Sequence, residues 1–178
     1  MATSFGYTIA VSTRRLIALL LTGLCTSAAD TGKSLFDGRT LAGWISSDGS
    51  DPAESWTVEN GALATLPSAK APNDLVSPPV PDRFELTFSV WLSRGANTGV
   101  KYPVVIGLHD LSENPIKGSS AIGLEFQLAD EESPDAKVVD TRSGSLYGLL
   151  PVTEVVRTPS EVWIPVKLTC RALPANIG

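Results

Sequence analysis

The sequence predicts an all-β sandwich or barrel, and three observations carry that expectation. Thirteen prolines and fifteen glycines cut the 178 residues into short runs rich in Val, Thr, Phe and Trp, the punctuation of short strands joined by turns. No stretch beyond Lys33 keeps an apolar period of 3.6 over the length of a helix. Two runs alternate with a period of two, which places successive side chains on opposite faces of a strand. In 84–92, Phe84, Leu86, Phe88, Val90 and Leu92 share one face and Glu85, Thr87, Ser89 and Trp91 the other; in 121–130, Leu124, Phe126 and Leu128 oppose Glu125 and Gln127. A chain of this length can bury one core of its own.

The elements follow in order. Arg14 and Arg15 precede the apolar run 16–21, and Ser27-Ala28-Ala29 supplies small residues before Asp30. This pattern predicts a secretory signal peptide over residues 1–29, with a single domain over 30–178. The apolar run is too short for a stable membrane span, and Leu24 argues against a lipoprotein site at Cys25. The protein is therefore expected in the periplasm or outside the cell. Asp37-Gly38 marks a turn. Residues 56–65 predict a hairpin, since Asn60-Gly61 accepts the positive φ values of a tight turn. A short strand is expected at 74–77, then a proline-stiffened link into the long strand at Phe84. The polar segment 93–99 reads as a turn, which accounts for Asn97 and Gly99 without a ligand. Strands at 100–107 and 121–130 flank a loop holding His109, the sole histidine. Residues 130–142 form a second polar loop, 145–150 a strand-like or turn segment, and 162–171 a last strand.

Charge and motifs exclude several functions. The net charge is −5, and removal of the leader deletes two arginines and no acid. An acidic surface does not suit nucleic acid or anionic membranes. Cys170 would be the one cysteine left, so no internal disulfide or cysteine metal site is expected. No phosphate-binding loop, dinucleotide fingerprint or Gly-x-Ser-x-Gly elbow is present, so no nucleotide cofactor is expected.

One dry face backed by carboxylate, amide, hydroxyl and indole groups suits a sugar. Glu125 leads the candidates, because a carboxylate on a central strand is costly unless it is paired or working. Its bland alternative is a salt bridge to Lys101 or Arg142. Gln127, two residues on, shares its face. Trp91 offers an indole for stacking on a pyranose, against the alternative of filling core. His109 is a further candidate, although a solvated loop histidine is the commoner case. Glu125 and Asp130 are candidate ligands for one divalent metal ion, since carboxylates suit hard cations.

A set of ordered motifs adds to this reading: Ser34-Leu35-Phe36-Asp37-Gly38 with Gly43-Trp44, Trp56-x-Val58-x-x-Gly61-Ala62-Leu63, Phe84-Glu85-Leu86-Thr87-Phe88, Asn97-Thr98-Gly99-Val100-Lys101-Tyr102, Gly123-Leu124-Glu125-Phe126-Gln127 and Gly144-Ser145-Leu146-Tyr147. In this order they resemble the 3-keto-disaccharide hydrolase family from Ser34 to about Arg171. The resemblance implies a concanavalin-like jelly-roll sandwich and a carbohydrate partner, a glycoside already oxidised at sugar C3. It also implies that the last strands, with a His-Trp-Leu-Asn-Gly hairpin, are missing here. Pro103 stands where the family often has arginine, Ser133-Pro134-Asp135 where it has His-Pro-Asp, and Gly148 where it has aspartate.

The ketone of such a sugar acidifies the proton on C2. A base can take that proton while a cation holds the enolate oxygen; Glu125 and Lys101 are the expected catalytic pair. Gln127, Asn97, Tyr102, Trp91, Tyr147, His109 and Arg142 are the candidate sugar-binding groups. Two other readings remain at this point: a non-catalytic carbohydrate-binding module, and an inactive truncated family member.

Overall fold

The computed structural model describes residues 8–13, 17–20, 32–66, 73–81, 83–105 and 121–171. Its strands are β1 (Thr8–Thr13), β2 (Ile17–Leu20), β3 (Ile45–Ser46), β4 (Trp56–Glu59), β5 (Ala62–Thr65), β6 (Leu75–Val76), β7 (Phe84–Leu92), β8 (Asn97–Val105), β9 (Ile122–Ala129) and β10 (Trp163–Cys170). They form two antiparallel sheets, a front sheet ordered β3-β6-β1-β8-β9 and a back sheet ordered β10-β7-β2-β5-β4. The fold is thus all-β and jelly-roll-like, and among the described residues the helical segments are two short 3₁₀ turns, at Pro52–Glu54 and Pro134–Lys137. Among the described residues no helix is long and apolar enough to cross a membrane.

Alternation builds the core. Phe88, Val90 and Leu92 from β7 meet Val100 from β8, Leu128 from β9 and Leu75 from β6, with Trp44, Trp56 and Leu63 beside them. Each buried indole finds an acceptor, as a buried N–H requires: Trp44 Nε1 donates to Leu35 O at 3.0 Å and Trp56 Nε1 to Asn73 O at 2.7 Å. The hairpin β4–β5 turns on Asn60 (φ 51°) and Gly61 (φ 80°), the left-handed pair the sequence calls for.

One element departs from the sequence reading. Asn97, Thr98 and Gly99 belong to β8, and the turn is confined to 93–96, closed by Ala96 N donating to Ser93 O at 2.9 Å. Thr98 is buried, so a polar residue here faces inward. β1 sits between β6 and β8, and β2 between β5 and β7, so Thr8–Thr13 and Ile17–Leu20 supply the middle strands of the two sheets.

On its far side β9 is met by residues 144–147. Phe126 bridges Leu146, Gln127 N donates to Ser145 O, and Tyr147 N donates to Glu125 O. Beyond β9 the loop 131–143 is fastened back on its end, where the Ser143 hydroxyl donates to Ala129 O and Thr158 Oγ1 donates to the same oxygen.

Candidate functional site

Opposed residues of an antiparallel pair share a face. In β8 and β9, Lys101 opposes Glu125, Gly99 opposes Gln127, and Asn97 opposes Ala129. Val100 and Leu128 point into the core, so Asn97, Gly99, Lys101, Glu125 and Gln127 project from the outer face of the front sheet. The same face continues across β1, since Lys101 and Val76 both pair with Ala10. Asp74, two residues before Val76, therefore reaches the cluster from the other side of β1.

Charge is concentrated here. Lys101 Nζ donates to Asp74 Oδ2 at 2.9 Å and lies 4.0 Å from Glu125 Oε2. Asp74 also accepts from Ala121 N at 2.8 Å. The side chains of Asp74 and Lys101 are 2% and 9% exposed, while that of Glu125 is 19% exposed. Ions this deeply buried persist only when paired and hydrogen-bonded, and Asp74 meets that need for Lys101. Glu125 is the carboxylate of the cluster that solvent, and hence a substrate, reaches best.

An amide chain runs beside this cluster. Gln127 Nε2 donates to Asn97 Oδ1 at 3.1 Å, and Asn97 Nδ2 donates to Asp135 Oδ2. Gln127 is fully buried, and among the described residues its Oε1 finds no donor. The direction of the chain is set by the Asp135 carboxylate, which can only accept. It leaves an acceptor at the Gln127 end, suited to a hydroxyl.

The structure thus brings together Glu125, Lys101, Gln127 and Asn97. Tyr147, whose N–H bonds the Glu125 carbonyl, joins them at the rim, on the face of Glu125. Other expected residues fall elsewhere. Trp91 pairs with the exposed Trp163 on the outer face of the back sheet, across the core from the cluster. Tyr102 packs on the core edge-to-face with Phe84, ring centroids 6.1 Å apart, and burial raises its phenol pKa. Arg142 turns to the backbone of its own loop, its Nε donating to Val138 O. His109 lies outside the described residues.

The metal pair is also corrected. Glu125 and Asp130 are five residues apart along an extended segment, about 16 Å, too far to share one ion. Asp130 Oδ1 instead accepts from Gly95 N at 2.5 Å and Glu132 N at 3.1 Å, and its Oδ2 from Ser160 Oγ at 2.8 Å. It organises a loop junction. Among the described residues no three His, Cys, Asp or Glu side chains gather to hold a metal.

Sequence reasoning missed Asp74 and Asp135. Asp74 was legible only as the start of a short strand, and nothing local says that it reaches Lys101 across β1. Asp135 carried a faint signal, the Ser133-Pro134-Asp135 start of a 3₁₀ turn whose Ser133 side chain caps Asp135 N.

Fold and site together define a jelly-roll-like β-sandwich with an acid–base cluster on the outer face of one sheet. Residues 31–173 match the 3-keto-alpha-glucoside-1,2-lyase-like domain, and the chain belongs to that family. A relative from Bacteroides thetaiotaomicron, a 3-keto-disaccharide hydrolase, is 27% identical over 152 residues, covering 79% of this chain and 52% of that protein. The chain thus spans about half the length of the relative it matches.

Proposed function

We propose that this protein cleaves 3-keto-glycosides, 3-keto-disaccharides among them, by elimination followed by hydration. The observation that supports this best is the reachable Glu125 carboxylate 4.0 Å from the ammonium that Asp74 holds. Glu125 takes the proton from C2 of the sugar, and the C–H electron pair moves into an enolate whose oxygen, on C3, lies against Lys101. The enolate collapses, the C1–O bond breaks, and the aglycone departs with that bond's electrons and takes up a proton. An enone remains. Water then adds across C1 and C2, hydroxyl on C1 and proton on C2, to give the free 3-keto sugar. Gln127 and Asn97 brace the floor beside Glu125, and Asp74 keeps Lys101 in place for the developing charge.

The test uses the purified chain and a 3-keto-glucoside with a chromogenic aglycone. Release is expected from the wild type, and Glu125→Gln should lower it by roughly 10²–10⁴-fold with an unchanged thermal melt. Full rate in Glu125→Gln would remove that residue from the mechanism. Sugar binding without release by the folded wild type would leave a carbohydrate-binding module instead.

A further inference from the structure

Gly99 stands within β8, and its φ lies outside the left-handed region. Neither a turn nor a positive φ explains a glycine there, and a glycine inside a strand, although it weakens the strand, often marks a place where something approaches closely. The something is Glu125. A methyl group built on Gly99 would fall 2.7 Å from Cδ of Glu125 and nearer still to its Oε1 and Cγ, and these are the three heavy atoms closest to it. Glu125 is opposite Lys101, one rung along, so its side chain leans diagonally over Gly99 while Oε2 stays 4.0 Å from Lys101 Nζ. Diagonal neighbours in a sheet are within reach of a side chain of this length.

We propose that Gly99 is a positioning residue for the reaction: its missing side chain is the notch that seats the Glu125 carboxylate beside the Lys101 ammonium. Any larger residue at 99 pushes the carboxylate off the position from which it meets the C2 proton. The consequence for rate rests on the proposed reaction; the steric coupling between the two residues does not.

Four chains separate these: wild type, Gly99→Ala, Glu125→Ala and the double variant, read by thermal melting. Alanine at 99 should lower the melting temperature when Glu125 is present and leave it unchanged or raise it when residue 125 is alanine, because the clash is then gone. Equal loss in both backgrounds, or no loss in either, overturns the proposal. Kinetics on the 3-keto-glucoside then read the positioning role. Gly99→Ala should lower kcat on the order of 100-fold, the cost of about 1 Å of misplacement, with KM within about twofold. Adding Glu125→Asp, which draws the carboxylate back from the methyl by one carbon, should cost no further rate, although Glu125→Asp alone slows the wild type. Unchanged kcat in Gly99→Ala, or fully multiplicative losses in that pair, overturns the positioning role. A wild type without turnover would instead defeat the proposed reaction and leave the melting result to decide the coupling.

Discussion

Asp74 and Lys101 lie under the same face as the closest charge pair of the cluster. Removing the Asp74 charge leaves Lys101 only the more distant and more exposed Glu125 carboxylate, and breaking a buried pair costs up to about 3–5 kcal/mol. Asp74→Asn is therefore expected to lower the free energy of unfolding by about that much in urea titrations, even though the amide oxygen still accepts from Ala121 N. The exposed pair Lys167–Glu85, with N and O 2.8 Å apart and both side chains more than half in solvent, makes the contrast. Glu85→Ala should cost less than about 1 kcal/mol. A similar loss from both variants would show that the Asp74–Lys101 pair is not buried as described.

The turn before Trp44 shows how an element can be written almost wholly in its sequence. Asp37 Oδ1 accepts from Arg39 N and Thr40 N, both at 2.8 Å, Oδ2 accepts from Thr40 Oγ1 at 2.7 Å, and Gly38 takes φ 75°. The Thr40 backbone N–H, then its hydroxyl, then the Arg39 N–H hold the Asp37 carboxyl at about 2, below its ordinary 3.8. A carboxyl depressed in the folded state contributes stability that is fully present above 3.8 and is lost as pH falls toward 2. The melting-temperature gap between wild type and Asp37→Asn should therefore be widest above pH 4 and shrink toward zero near pH 2; a gap independent of pH would contradict this. Such local chemistry, like the Asn60-Gly61 hairpin and the alternation in β7 and β9, is what the sequence made legible. Alternation also put Glu125 and Gln127 on one face, but it does not say which sheet a face belongs to. Trp91 looked equivalent to Glu125 for that reason and lies across the core from it. Asn97-Thr98-Gly99 read as a turn because its residues favour one, and burial of Thr98 against the opposite sheet decided otherwise. The Asp74–Lys101 contact depends on strand order, which no local pattern encodes.

Across the whole molecule, β1 and β2 tie the two sheets' central strands together. The strands β1 and β2 pair with Leu63, Leu75, Val76, Val90, Leu92 and Val100, none of them more than 1% exposed. A fully buried Val or Leu returned to water costs about 1.5–3 kcal/mol. Partial exposure of six approaches the about 5–15 kcal/mol by which a domain is stable at all. A chain lacking residues 1–29 should accordingly melt at least about 10 °C below the full chain, or without a cooperative transition, when followed by circular dichroism. Coincident melts would show that the sandwich closes without these strands. The placement also orders events in time. Thr8 pairs with Val104 and Ile17 with Leu92, so β1 and β2 must wait for strands about 75 to 95 residues further on before either sheet can close. Contacts so distant along the chain slow folding, and during that interval the apolar strand residues that β1 and β2 pair with, Leu63, Leu75, Val90 and Val100 among them, wait without their sheet neighbours.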